Sequence, residues 1–343
     1  MADDAHGPRG STYDAIARQL LGGDARLSTA EVAEGTGLEP EIVRAFWRSL
    51  GFADVDDDVP HFTDGDIALL RQISQLVQDG ELGLPAAQTL VRAHGHSADR
   101  LALWQVEALV EDAATRFELD DISARLVVLD RLATLAPLLE AQIVHTWRRH
   151  LVALLGRLDR DVGKARAPSL PDVDQLPLER AVGFLDMISF TERTVGLSSA
   201  GLADLVLGFE TAARDTIAAQ GARVVKTIGD AVLWVADDLL TGAEVALGLL
   251  EVMRATGFDV KGSLVWGRVL SRSGDVFGPS VNLASRLGDV APAGAVVLDD
   301  VSAALLEVAE PGLTLTPEPP VAVHGLGVIR PVRLGRREGA SDT

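Results

Sequence analysis

Six polar side chains in the last third of this 343-residue chain have the types and spacing for chemistry on a nucleoside triphosphate. Asp186 stands in Gly-Phe-Leu-Asp-Met-Ile-Ser-Phe-Thr, residues 183–191. Lys226 and Asp230 bracket Lys-Thr-Ile-Gly-Asp. Asp275, Asn282 and Arg286 lie in Asp-Val-Phe-Gly-Pro-Ser-Val-Asn-Leu-Ala-Ser-Arg. Two carboxylates beside apolar segments suit a pair of hard divalent cations, whose charge offsets the repulsion between the acids. Two such ions, roughly 3.5–4 Å apart, activate an attacking hydroxyl and hold the leaving phosphates. A guanidinium fork matches phosphate oxygens, and an asparagine can hold a ribose oxygen. Each residue alone also has an ordinary reading. An Asp at a strand end caps a turn, a strand Lys reaches for solvent, and an Asn–Arg pair decorates a solvated helix face.

Local patterning predicts the elements that must position these groups. Ala181–Met187 reads as a strand that Asp186 nearly ends. Leu202–Ala219 reads as a helix, and Arg223–Ile228 and Ala231–Ala236 as strands joined by a tight turn at Gly229-Asp230. Leu239–Ala255 is a second helix, Asp259–Trp266 a strand, Val281–Leu287 a helix or the start of one, and Ala295–Leu298 a short strand. The order βαββαβ predicts a ferredoxin-like, split-βαβ sheet covered by helices, an α+β domain. Asp186 and Asp230 then converge at one sheet end. Lys226, four residues before Asp230, shares its face if the segment is regularly extended. Asn282 and Arg286, four apart, share one helix face.

In order and spacing, the three motifs resemble those of class III adenylyl cyclase catalytic domains, over roughly residues 178–335. The family pattern is a metal Asp in Phe-x-Asp-x-x-x-Phe-Thr, then Lys-x-x-Gly-Asp, then Asp-x-x-Gly-x-x-Val-Asn-x-Ala-x-Arg, and all three stand here. The resemblance implies Asp186 and Asp230 as ligands of two Mg²⁺ or Mn²⁺ ions, with the Met187 carbonyl as a further ligand. It implies Lys226 and Asp275 as readers of adenine, Asn282 as the residue that orients ribose, Arg286 as the transition-state cation and Lys261 as an additional phosphate contact. It implies conversion of ATP to 3′,5′-cyclic AMP and pyrophosphate at sites shared across a head-to-tail homodimer. Lysine donates and aspartate accepts, which complements the ring nitrogen and amino group of adenine. Guanine presents a carbonyl there, so a guanylate cyclase is the less favoured alternative. The proton of the attacking hydroxyl has three candidate acceptors: Asp186, solvent and a substrate phosphate. Two positions depart from the family. Ser189 stands where glycine is frequent, and His324 stands where a lysine often meets terminal phosphates.

The N-terminal half has a different pattern. Apolar residues recur at helical spacing, as in Leu69, Leu70, Ile73, Leu76 and Val77, and again over 122–135. The sequence predicts an all-α regulatory domain over 1–163, a proline-rich linker over 164–177, the catalytic domain over 178–335 and a polar tail over 336–343. Thr29–Glu34, the turn Gly35–Gly37 and Glu39–Leu50 read as a helix-turn-helix. Phe62-Thr-Asp-Gly-Asp before an apolar helix is similar to the wing-to-helix passage of MerR-like regulators. That leaves a nucleotide-sensing DNA-binding regulator with a silent cyclase domain as the second alternative. Acidic Glu39, Glu41, Asp54, Asp56, Asp57 and Asp58 argue against it. His145 and His150, near the end of the last helix, are candidates for a pH response.

Bulk properties bound these readings. A net charge of −19 repels nucleic acid and anionic membrane at long range, while bound cations would still allow a nucleotide. With no cysteine, disulfides, thiolate ligands and thiol nucleophiles are excluded. The first residues lack the apolar core of a signal peptide, and no run of about 18 uncharged apolar residues reads as a membrane span. The expectation is a cytoplasmic protein.

Overall fold

The chain divides into two compact units, Met1–Arg160 and Asp161–Thr343. The computed structural model describes residues 12–165, 178–190, 196–272, 274–323, 325 and 327–337. Residues 166–177 of the expected linker, His324 and most of both tails lie outside the described residues.

The N-terminal unit is helical, as expected: α1 (Thr12–Leu21), α2 (Thr29–Thr36), α3 (Pro40–Ser49), α4 (Asp64–Gln78), α5 (Leu84–Phe117) and α6 (Asp121–Ala165). Its starts are written locally. Ser28 and Glu31 form a reciprocal capping box at α2, and Thr63 and Asp66 do so at α4. Val32, Val43, Phe46, Phe62 and Leu70 pack as its core. The predicted helix over 122–135 proves to be the first third of the 45-residue α6, which runs through Pro137. Proline cannot donate to the carbonyl four residues back. That carbonyl, of Ala133, instead accepts a 2.9 Å hydrogen bond from the Gln19 side chain, so the helix continues.

The C-terminal unit runs β1 (Leu178–Met187), α7 (Ser199–Ala219), β2 (Arg223–Ile228), β3 (Ala231–Ala236), α8 (Leu239–Ala255) and β4 (Val260–Arg272). These are the expected βαββαβ unit. Then come β5 (Asp275–Phe277), α9 (Pro279–Val290), β6 (Val296–Leu298), α10 (Asp300–Ala309), β7 (Leu313–Pro317), β8 (Val321–Val323), β9 (Gly327–Ile329) and β10 (Val332–Arg336). The main sheet has the order β2-β3-β1-β4-β6-β10-β7; β5 folds back on β4, and β8 and β9 form a separate hairpin. β4 is longer than the predicted 259–266 because its last residues pair with β5.

Alternation along β1 separates two cores. Ala181, Leu185 and Met187 pack with Phe209 and Ile217 of α7 and Leu249 of α8. Val182 packs with Leu233, Val265 and with Ala284 and Leu287 of α9. Asp186 therefore belongs to the face that α9 covers. Gly183 is required on the other face: a Cβ there would lie 2.1 Å from the buried Trp234 ring on β3.

Candidate active site

Asp186 sits one residue before the end of β1, opposite Ala231 of β3 and Lys261 of β4. Asp230 occupies the two-residue turn between Ile228 and Ala231, which pair across the hairpin. The Met187 N–H donates to the Asp230 carbonyl at 3.0 Å, which fastens this turn to the end of β1. Burial raises the Asp186 carboxyl above the usual carboxylate range, and the nearby Asp230 charge adds to it; Lys261 opposes the shift and Asp289 reinforces it. An acid held against its own charge by a second acid is a site that a divalent cation would relieve. Both donor groups are hard oxygens, the set that Mg²⁺ or Mn²⁺ takes.

The chain turns sharply after Asp186. The Ile188 N–H donates to the Asp259 carbonyl at 2.8 Å, and Ser189 takes a left-handed φ of 56°. That conformation costs a non-glycine residue roughly 1 kcal/mol or more. Ser189 holds this turn at that cost.

Lys226 reaches its face through an irregularity. Val224 opposes Trp234 but Lys226 opposes Leu233, so Val225 is the extra residue of a β-bulge. Without the bulge, Lys226 would face Val232, whose side chain belongs to the core under α7 and α8. With it, Lys226 joins the α9 face and meets Asp275 of β5 at 2.5 Å. Burial works against the charged Asp275, yet the Lys226 hydrogen bond, the Val276 N–H and the charges of Lys226 and Arg223 hold its carboxyl below the usual range. The two groups expected to read the base are thus 49 residues apart in sequence and paired in space.

α9 is amphipathic. Ala284, Leu287 and Gly288 are buried, while Asn282, Arg286 and Asp289 are exposed on the opposite side. Two contacts dock it to β4. The buried Ser263 hydroxyl donates to the Ala284 carbonyl at 2.6 Å. Gly267 leaves room for Ser280, whose Oγ would lie 2.2 Å from a Cβ at that position. Arg286 pairs with Asp289 at 3.3 Å, and the Lys261 Nζ donates to the Asp289 carbonyl at 2.9 Å. Asp289 and Ser263 were not among the sequence candidates. Asp289 stands three residues after Arg286, a spacing that places it beside the guanidinium; no sequence signal marks Ser263.

The structure therefore gathers Asp186, Asp230, Lys261 and Met187 at one end of β1, with the Asp289 carbonyl on Lys261 and Arg286 paired to the Asp289 side chain. It forms a separate Lys226–Asp275 pair on the same sheet face. Asn282 stands one turn before Arg286. A split-βαβ sheet carrying these groups is the architecture of the cyclase catalytic domain that the motifs resemble. No family model matches the chain. An adenylate cyclase of Glutamicibacter nicotianae is 36% identical over 98% of this chain and 86% of its own. One from Streptomyces coelicolor is 35% identical over 93% of this chain and 88% of its own. A protein of Mycobacterium tuberculosis described as a pH-sensitive adenylate cyclase is 31% identical over 82% of this chain and 71% of its own. Among solved structures, the adenylyl cyclase CyaB from P. aeruginosa aligns over 48% of this chain and 97% of that chain, with a TM-score of 0.43 and 18% identity. The chain belongs to the adenylate cyclase family, and it is an enzyme of that activity. No helix among the described residues is long and apolar enough to cross a membrane.

Proposed function

We propose that this cyclase converts ATP to 3′,5′-cyclic AMP and pyrophosphate at two equivalent sites, each shared by two copies of the chain. The paired Lys226 and Asp275 carry the choice of base. In the free protein they satisfy one another; opened onto adenine, Nζ donates to the ring nitrogen and the carboxylate accepts from the amino group. Guanine reverses one of these matches and leaves a polar group unpaired.

Asp186 and Asp230, with the Met187 carbonyl, would hold two Mg²⁺ or Mn²⁺ ions. Those ions supply Lewis acidity at the 3′-hydroxyl and countercharge at the phosphates. The O3′–phosphorus bond forms as the bond from the α-phosphorus to the bridging oxygen breaks; pyrophosphate leaves, and the hydroxyl proton passes to Asp186, solvent or a substrate phosphate. Asn282 orients the ribose. Arg286 leaves Asp289 and places its fork where charge develops at phosphorus. Lys261, beside Asp186, adds a cation for the phosphates. The carboxylates would come from one copy, and Lys226, Asp275, Asn282 and Arg286 from the other. Every chain carries both sets, so a two-fold homodimer completes two sites.

The test is cyclic nucleotide formation by the full chain with Mn²⁺ or Mg²⁺, offered ATP or GTP. Cyclic AMP from ATP is expected, with a preference that Lys226→Ala lowers by about 10²-fold or more in kcat/KM. An equal rate on GTP would give the alternative, a guanylate cyclase. Nucleotide binding without product would give the silent sensor. Against that sensor as a DNA binder, Arg44 is already paired with Glu41 and Asp57, and Arg48 with Asp54, so these helix-turn-helix cations meet acids rather than phosphates.

Regulation by the N-terminal unit, with pH as the stimulus, belongs to the same reading. The mycobacterial relative is named for pH sensitivity, and His145 and His150 are exposed on α6. The expected result is a pH–activity profile that the double variant His145→Ala/His150→Ala flattens. A pH–activity profile that the substitutions leave unchanged removes both histidines from the mechanism.

A further inference from the structure

The second two-thirds of α6 contributes no described residue to a core. From Pro137 to Arg160 no residue is buried. Yet Val144, Trp147, Leu151, Leu154 and Leu158 follow one another at steps of three, four, three and four residues. Trp147 is 56% exposed and Leu158 55%. An alternation of three and four is the a/d spacing of a two-helix seam, with Val144, Leu151 and Leu158 at a and Trp147 and Leu154 at d. A monomer seldom leaves a continuous apolar stripe of this length to water.

The flanking positions say what covers it. In a parallel pair, each g residue faces the e residue five places on in the partner helix. Ile143 would then meet Arg148, and His150 would meet Leu155. At both places an apolar side chain lies beside a polar-tipped one that can pack its stem and keep its tip in water. No cation opposes a cation there. An antiparallel pair sets g against g and brings the His150 and Arg157 row against itself. We propose that a second copy of this chain covers the stripe, with the two α6 segments parallel and in register across Val144–Leu158. This interface uses none of the catalytic residues and does not rest on the shared-site reading.

The chain has no cysteine, so one introduced thiol reports on one contact. Equivalent a positions of a parallel pair lie close to the roughly 4.4–6.8 Å Cα separation that a disulfide accepts. In the full-length protein under mild oxidation, Leu151→Cys is expected to form a disulfide-linked dimer. Ala153→Cys, two residues on and facing away from the seam, is expected to do so at least about 10-fold less. Leu154→Glu/Leu158→Glu should weaken self-association by about 10-fold or more in sedimentation while the helical circular dichroism is retained; tenfold corresponds to about 1.4 kcal/mol. Equal cross-linking at 151 and 153 would overturn the proposal. So would a monomer that co-sediments with phosphatidylglycerol vesicles, which would assign the stripe and its basic flank to a lipid surface. Cyclic AMP production by mixed active-site variants is read separately. Cross-linking at 151 without such complementation leaves the helix pair standing and rejects shared sites; complementation without cross-linking does the reverse.

Discussion

Asp186→Ala and Arg286→Ala chains, each inactive alone, are expected to regain about a quarter of the native rate when co-expressed in equal amounts. Random pairing makes half of the dimers mixed, and each mixed dimer holds one intact site of two. Alone, each substitution should lower cyclic AMP formation by about 10³-fold. Loss of one preorganised charge at a developing oxyanion removes roughly 10²–10³, and loss of a metal ligand removes no less. Arg286 is exposed and its present partner, Asp289, is only one helical turn away, so the side chain is free to reach another chain's phosphates. Both variants alter exposed or partly exposed groups outside either core, so both should fold. A mixture that stays as inactive as its components would reject the shared site.

Asp230→Ala should have an effect as large on activity and an opposite one on the stability of the metal-free protein. Burial and the Asp230 charge hold Asp186 above its ordinary pKa. A carboxyl raised on folding stabilises the protein below the unfolded value, about 3.9, and that contribution is lost as pH rises through the folded pKa. Once deprotonated, Asp186 beside Asp230 is therefore a cost to the folded state. Removing Asp230 relieves part of it, so thermal unfolding in chelator at pH 7 should occur at a higher temperature in the variant, with the difference disappearing below about pH 4. Added Mn²⁺ should reverse the order. The native protein gains up to about 2.7 kcal/mol at a hundredfold excess over Kd, and the variant gains little. A native protein that Mn²⁺ does not stabilise would reject these carboxylates as the metal ligands.

Much of the catalytic unit was legible in the sequence because its signals are local. The predicted β2, β3 and α8 have the observed bounds, since alternation, a Gly-Asp turn and a capped amphipathic run are properties of neighbouring residues. α7 and α9 each extended two or three residues beyond prediction, to a Ser198 cap and to Pro279. The start of β1 and the end of β4 were not legible, because a strand's length depends on its partners: Leu178 pairs with Val269, and Arg272 with Asp275. β5, β8 and β9 were missed for the same reason; three-residue segments carry no period of their own. In the N-terminal unit, the full length of α6 was not legible: it runs through Pro137, and the Ala133 carbonyl that loses its helical donor there is met by Gln19, 114 residues away in sequence.

The sequence by itself determined the residue types of the site, their order and the βαββαβ path that carries them, because motif spacing and hydrophobic period are one-dimensional. Tertiary structure alone decided which groups meet. A bulge at Val225 turned Lys226 onto the face where Asp275 could reach it. The return of β4 against β1 set Lys261 beside Asp186. The Ser263 hydroxyl and the space at Gly267 fixed α9, so that the Asp289 carbonyl meets Lys261 at the carboxylates' end of the sheet. These are register and packing choices. They are set by hydrogen bonds and contacts between residues tens of positions apart, where no local preference acts.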